Sequence, residues 1–217
     1  MVNFLILIEK ISKFSKNTID KGKTPLDIYK LCSIIREAFC CSYSIRKNNN
    51  LYFYVDSSKI LIKFEGSSLR YLGSDERSQA LLLKRALDKI NGLEKNNGQK
   101  MQISTPGILV KRLQNSESIL ENIHDLYYDK IIVINGFKKE NTHRNIIYLE
   151  DLDKLSDCCY VLPFPQNSQG TVDFLRIMDD KLNLVFTNLS HIKGIEDKIL
   201  YINYLIDQKN NFDTEIK

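Results

Sequence analysis

The sequence predicts an α/β fold, a mostly parallel sheet covered on both faces by helices. Short apolar runs, at residues 2–9 and 131–134 among others, are too brief for helices and read as strands buried on both faces. Between such runs, apolar residues recur at helical spacing: Ile28, Cys32, Ile35 and Phe39; Leu83, Leu87 and Ile90; Ile195, Ile199, Ile202 and Ile206. Strands alternating with helices argue for parallel strands joined by crossovers. The 217 residues, 43% of them apolar, fit one domain over residues 1–208, with a polar tail over 209–217 expected to fray.

In order, residues 2–9 form the first strand. Residues 10–23 carry Lys10, Lys13, Lys16, Lys21 and Lys23 against Asp20 alone. They read as a solvated loop or as a basic lip that tracks a nucleic-acid backbone. Thr24 and Pro25 mark a helix start, a capping hydroxyl followed by proline at the first helical position. That helix, widened by Leu31, Ile34 and Ala38, is expected to end near Ser44. Residues 51–55 and 59–64 read as two further strands. A polar turn through Gly66, Ser67 and Ser68 leads to Leu69, Arg70, Tyr71 and Leu72. Gly73 breaks that run, Ser74 caps the next helix, Asp75 and Glu76 occupy its first turn, and Gly92 ends it.

Residues 91–102 then read as a linker and residues 116–127 as a helix. Strands are expected over 131–134, 146–149, 159–162 and 183–186, and a short helix over 172–177. The isoleucine stripe from Ile195 to Ile206 marks the last helix.

Composition narrows the function. A net charge of +4 permits an RNA partner without demanding one. The five cysteines form no C-x-x-C pair and the three histidines lie far apart, which argues against a metal site and for buried free thiols in a reducing compartment. The apolar start, MVNFLILI, is short and lacks a basic region and a cleavage site, so a cytoplasmic protein without a signal peptide or membrane span is expected.

The string FEGSSLRYLGSDERS, residues 64–78, is the most specific in the chain. It resembles the signature of the archaeal tRNA pseudouridine-54 N1-methyltransferases, members of the SPOUT superfamily. Phe64, Glu65, Gly66, Leu69, Tyr71, Leu72 and the run from Asp75 to Ser78 carry the match. Asp27, Ile45 and Arg46 match an Asp and a Gly-Ile-Arg of that family, with Ser44 at the glycine, and residues 104–110 match its Ser-Pro-Gly-Ile-Tyr-Val element. The resemblance is strong over residues 24–110. It implies a C-terminal trefoil knot, S-adenosylmethionine as cofactor, the tRNA T-arm as partner and a homodimer built on the last helix.

Ligands of parallel α/β sheets bind beyond the carboxyl ends of the strands. The resemblance places the cofactor on loops beginning at Ile134, at Leu162 with Pro163, and at Leu184 with Val185, and near Lys198, which stands where the family has a cysteine. Pro163 and Val185 replace family glycines, so this half departs from the pattern while the N-terminal half keeps it.

Methylation requires pseudouridine N1 to attack the cofactor's methyl group, and that amide-like nitrogen reacts once its proton leaves or its carbonyl charge is stabilised. Arg46, Arg70 and Arg77 are the candidate cations, for catalysis or for RNA. Asp27 and Asp75 could take the proton or orient an arginine, or serve only as helix-end partners. Tyr43 and Tyr71 offer a stacking face or pack in the core. Two functions follow: an RNA methyltransferase acting on pseudouridine, or a non-catalytic dimeric RNA-binding protein on the same fold that has lost its cofactor.

Overall fold

The computed structural model describes residues 1–42, 44–92, 100–115, 118–119, 130–134, 146–164, 173–176, 178–179, 182 and 184–215. Among the described residues its main sheet has nine strands, in the order β6-β7-β5-β4-β1-β10-β8-β11-β9. These are β1 (Val2–Ile8), β4 (Asn49–Val55), β5 (Ile60–Glu65), β6 (Gln102–Thr105), β7 (Ile108–Arg112), β8 (Lys130–Ile134), β9 (Ile146–Ile147), β10 (Cys158–Phe164) and β11 (Leu184–Thr187). From β4 to β9 the neighbours are parallel. The β4-β5-β7-β6 edge is antiparallel. The alternation predicted from sequence is thus a mixed, mostly parallel sheet.

Every residue of β1 is buried, because its two sets of side chains feed two cores. Phe4, Ile6 and Ile8 meet the helices α2 (Leu26–Phe39), α3 (Glu76–Asn91) and α4 (Ile195–Glu215). Leu5 and Leu7 join Ile119, Phe174, Leu175 and Met178 on the opposite face. Ile28, Cys32, Ile35, Phe39, Ile195, Ile199, Ile202 and Ile206 are all buried, as their spacing requires.

Several boundaries differ from the sequence reading. The polar segment after β1 contains a short helix, α1 (Lys16–Asp20), closed by a capping box between Ser15 and Thr18. Pro25 is the N-cap of α2, and the Thr24 hydroxyl, read as the cap, is buried without a partner. The same helix stops at Phe39, where Cys40–Cys41 (β2) and Ser44–Ile45 (β3) form a small antiparallel hairpin with Ser42 at φ 45°. Asp75, not Ser74, caps α3, its carboxylate accepting from Ser78 N at 2.8 Å. β6 emerges at the end of the stretch read as a linker. α4 continues through Lys209 into the residues expected to fray, and Lys209 Nζ donates to Glu150 O at 3.1 Å and to Leu152 O. The helix expected over 116–127 falls almost wholly outside the described residues, as do Tyr43, Asn135, Gly136 and Pro165.

The sheet has two functionally different ends. Ile8, Val55 and Phe164 stand side by side at the carboxyl end of the parallel strands. Glu65 pairs with Asn50, and Asn50 with Asn3, at the amino end. Five strand steps, from Asn3 to Ile8, separate the two ends by about 17 Å.

Candidate functional site

The signature string folds at the amino end of the parallel strands. Glu65 N donates to Gly107 O at 2.8 Å, and Gly66 N to Asn49 O at 2.9 Å. A Cβ on Gly66 would lie 2.4 Å from Arg46 O, and one on Gly107, at φ +78°, would lie 2.3 Å from Leu69 Cα. Two glycines therefore let three turns pack backbone against backbone. The Glu65 carboxylate accepts from Lys63 Nζ at 2.7 Å and from Ser68 Oγ at 2.9 Å. Lys63 holds its pKa below the ordinary value, against the opposing effect of burial.

Past the buried Leu69 the chain turns outward. Arg70 is exposed, and Tyr71 is 75% exposed with φ 64°, a conformation tyrosine rarely adopts. Core packing, one of the two roles open to Tyr71 from sequence, is excluded. Ser78 Oγ donates to Tyr71 O at 3.3 Å and accepts from Gly73 N at 2.8 Å. The buried Gln79 donates to Gly73 O at 3.1 Å. The first turn of α3 thus closes the loop that presents Tyr71.

The other candidates near this string are already engaged. Arg46 Nη1 and Nη2 donate to the Asp207 carboxylate of α4 at 2.8 and 2.6 Å, a two-pronged pair that raises the arginine's pKa. Arg77 Nε pairs with Asp20 Oδ1 at 2.9 Å, an exposed contact. Asp75 is the cap of α3. Asp27, in the first turn of α2, accepts from Ser12 N at 2.7 Å and pins the connection that follows β1. Arg70 makes no ion pair among the described residues. Sequence reasoning missed Asp207 and Asn203, the α4 residues that reach this end. Buried Asn203 accepts from Asn49 Nδ2 at 3.0 Å and donates to Glu37 O at 2.8 Å. Only the polar interruption of the isoleucine stripe hinted at them.

Of the remaining candidates, Ile134, Leu162 and Pro163 lie at the carboxyl end of the parallel strands, whereas Leu184 and Val185 open β11 level with Ile131 and Ile132. β8 ends at Ile134 and its ladder with β10 ends at Val133–Val161, yet β10 continues beside β1 to Phe164. Pro163 falls beyond the described part of the β8 ladder, beside Leu7 of β1. Pro163 is therefore a strand residue, paired with Leu7, and not part of the loop expected after Leu162. Leu184 and Val185 likewise lie within β11, not in a loop.

Ile134, Leu162 and Val185 face the layer of α2, α3 and α4, whereas Leu184 packs on the opposite face. Thr187, buried beside Ile134 at the end of β11, has a hydroxyl without a hydrogen-bond partner. Lys198 is 1% exposed, one turn into α4, on the face it shares with Ile195, Ile199 and Ile202. Burial pushes its pKa down, and Glu196 opposes the shift. Ile134 and Leu162, each 1% exposed, close the core at this end, and the Thr187 hydroxyl beside Ile134 keeps hydrogen-bonding capacity to spare. Among the described residues there is no group of side chains that would hold a metal, and no helix long and apolar enough to cross a membrane.

Comparison with known proteins agrees with the reading of the string. A tRNA (pseudouridine(54)-N(1))-methyltransferase of Methanocaldococcus jannaschii is 33% identical over 117 residues, 51% of this chain and 56% of the relative. The Haloferax volcanii protein of that name is 33% identical over 112 residues, 52% and 54% of the two chains. That of Methanococcoides burtonii is 29% identical over 168 residues, covering 72% of this chain and 70% of its own. The chain spans little more than half the length of the first two relatives. The family described as "Putative SAM-dependent RNA methyltransferase" matches residues 4–139, more than half of the 217, and the chain belongs to that family.

Proposed function

We propose that this protein is an S-adenosylmethionine-dependent methyltransferase that methylates N1 of a pseudouridine in tRNA, at position 54 of the T-arm. The family match over residues 4–139 carries the reading. The names of the relatives supply the nucleotide. S-adenosylmethionine would be held at the carboxyl end of the strands. Ile134, Leu162 and Pro163 would shape the strand ends beneath it, Leu184 and Val185 would set the position of β11, and Thr187 and Lys198 would serve its polar groups. When bound, it supplies the electrophilic methyl group. The protein's task is to bring the base there, out of its stack, and to relieve N1 of its proton.

Arg46 and Arg70 stand about one strand length, roughly 17 Å, from that end within one chain. A homodimer resolves this separation, because the partner subunit can bring its own string to the cofactor end. In this reading Arg70 and Arg77 meet the RNA and Arg46, clamped by Asp207, positions the turn beneath Gly66. Asp27, at the carboxyl end, is the acid placed to receive a proton, while Asp75 stays a helix cap. The trefoil knot in this reading comes from the family resemblance, and the place of β11 between the earlier strands β8 and β9 is compatible with it. A cytoplasmic location completes the proposal.

Calorimetric titration of the purified chain with S-adenosylmethionine tests the cofactor site, and micromolar binding is expected. Methyl transfer to a T-arm hairpin carrying pseudouridine, and none to the same hairpin carrying uridine, tests the reaction. A folded chain that binds the hairpin but no cofactor would overturn the enzyme reading and leave an RNA-binding relative.

A further inference from the structure

We propose that Tyr71 is a stacking platform for a nucleobase of the RNA, with the neighbouring Arg70 taking an adjacent phosphate; this inference rests on the RNA-directed function proposed above. Tyr71 is the most exposed large hydrophobic side chain among the described residues, at 75%. It is also held there at a cost, since φ 64° is unfavourable for an aromatic residue. A tyrosine that only needed solvent would relax into an ordinary conformation. Here Ser78 and Gln79 of α3 fix the carbonyl of Tyr71 and both backbone groups of Gly73, and Arg70 N donates to Pro106 O at 3.4 Å. The ring is therefore presented from a loop tied down on both sides.

The charge around it is of the right sign for a polyanion. Arg70 is exposed and carries no ion pair among the described residues. The Arg77–Asp20 pair ties the segment bearing Lys10, Lys13, Lys16, Lys21 and Lys23, all exposed, to the first turn of α3. Asp20, the only acid of that segment, is occupied by Arg77. An exposed aromatic face with free cations beside it fits single-stranded or loop RNA, whose bases stack on aromatic rings and whose phosphates pair with arginine and lysine. A protein partner's apolar pocket would not call for the lysines.

The test uses the full chain and a T-arm hairpin carrying pseudouridine, with a fluorescent adenine analogue at the next loop position. Tyr71→Gly should weaken hairpin binding at least about tenfold and abolish the stacking-dependent quenching of the fluorophore. The same substitution should keep or raise the melting temperature, because glycine accepts the positive φ. Binding and stability are thus expected to move apart, which a merely structural role would not produce. Tyr71→Phe should bind within about twofold of the unaltered chain, since the ring face is what stacks. Tyr71→Gly binding as tightly as the unaltered chain would overturn the inference. So would equal losses in Tyr71→Phe and Tyr71→Gly, which would assign the contact to the hydroxyl. An unaltered chain that binds no RNA would remove the proposed function and this inference with it.

Discussion

Gly107 shows how much of the site depends on single atoms. Its φ of +78° and the 2.3 Å approach of Leu69 Cα leave no room for a side chain, and the obstacle is backbone. Gly107→Ala should destabilise the fold by roughly 2–3 kcal/mol in urea unfolding, from strain and overpacking together. The thiols separate equally sharply. Burial, with Glu76 adding to it, pushes Cys32 up to about 12, and burial with Cys158 nearby does the same to Cys159. Cys41 is exposed, so the sequence reading of buried thiols fails at that position. A disulfide exchange reagent at neutral pH should titrate Cys41 rapidly, and Cys32 and Cys159 only after denaturation. Lys198 is a buried amine whose charge burial disfavours. Lys198→Met should stabilise the chain by about 1 kcal/mol and weaken S-adenosylmethionine binding if the amine serves the cofactor.

At the scale of elements, the helical periodicities were legible because each apolar stripe meets one face of a buried sheet, and Ile28 to Phe39 and Ile195 to Ile206 are buried as read. The starts and stops were less so. Thr24 looked like a cap and satisfies nothing, since Pro25 already sets the entry to α2. Serine and aspartate are both good caps, so the choice between Ser74 and Asp75 was settled only by the loop geometry that Gly73 and Ser78 impose. The attachment of α4 could not be read at all, because Asp207 and Asn203 act on partners over 150 residues away in sequence. Asp207→Asn should cost about 1 kcal/mol, the pair being partly exposed. Asn203→Ala should cost about 2 kcal/mol by leaving buried partners unsatisfied. A double-mutant cycle between Arg46 and Asp207 would isolate the first, and hydrogen exchange at the end of α4 would report both.

For the molecule as a whole, acid should act through few groups. Glu65 titrates below its ordinary value when folded, because Lys63 and Ser68 hold its carboxylate. The unfolded chain therefore binds the proton more readily, so this stabilisation is complete above the unfolded pKa and is lost as pH falls through the folded one. Lys63→Met should flatten the loss of melting temperature in that acidic range. The sheet order and the two ends of the sheet were beyond sequence, since the string at residues 64–78 gave no sign of which end of the strands it occupies. The antiparallel turn of β5 decides it by carrying Glu65 back beside Asn50.

That reversal has a genetic consequence. If each reaction centre joins the strand ends of one subunit to the string of the other, two inactive variants can rescue each other. One would carry a lesion at Thr187 and the other at Arg70. Co-expressed in equal amounts and assorting at random into twofold-symmetric dimers, they should recover about a quarter of the unaltered activity, from the one undamaged centre in each mixed pair. Centres confined to single chains would allow no such complementation.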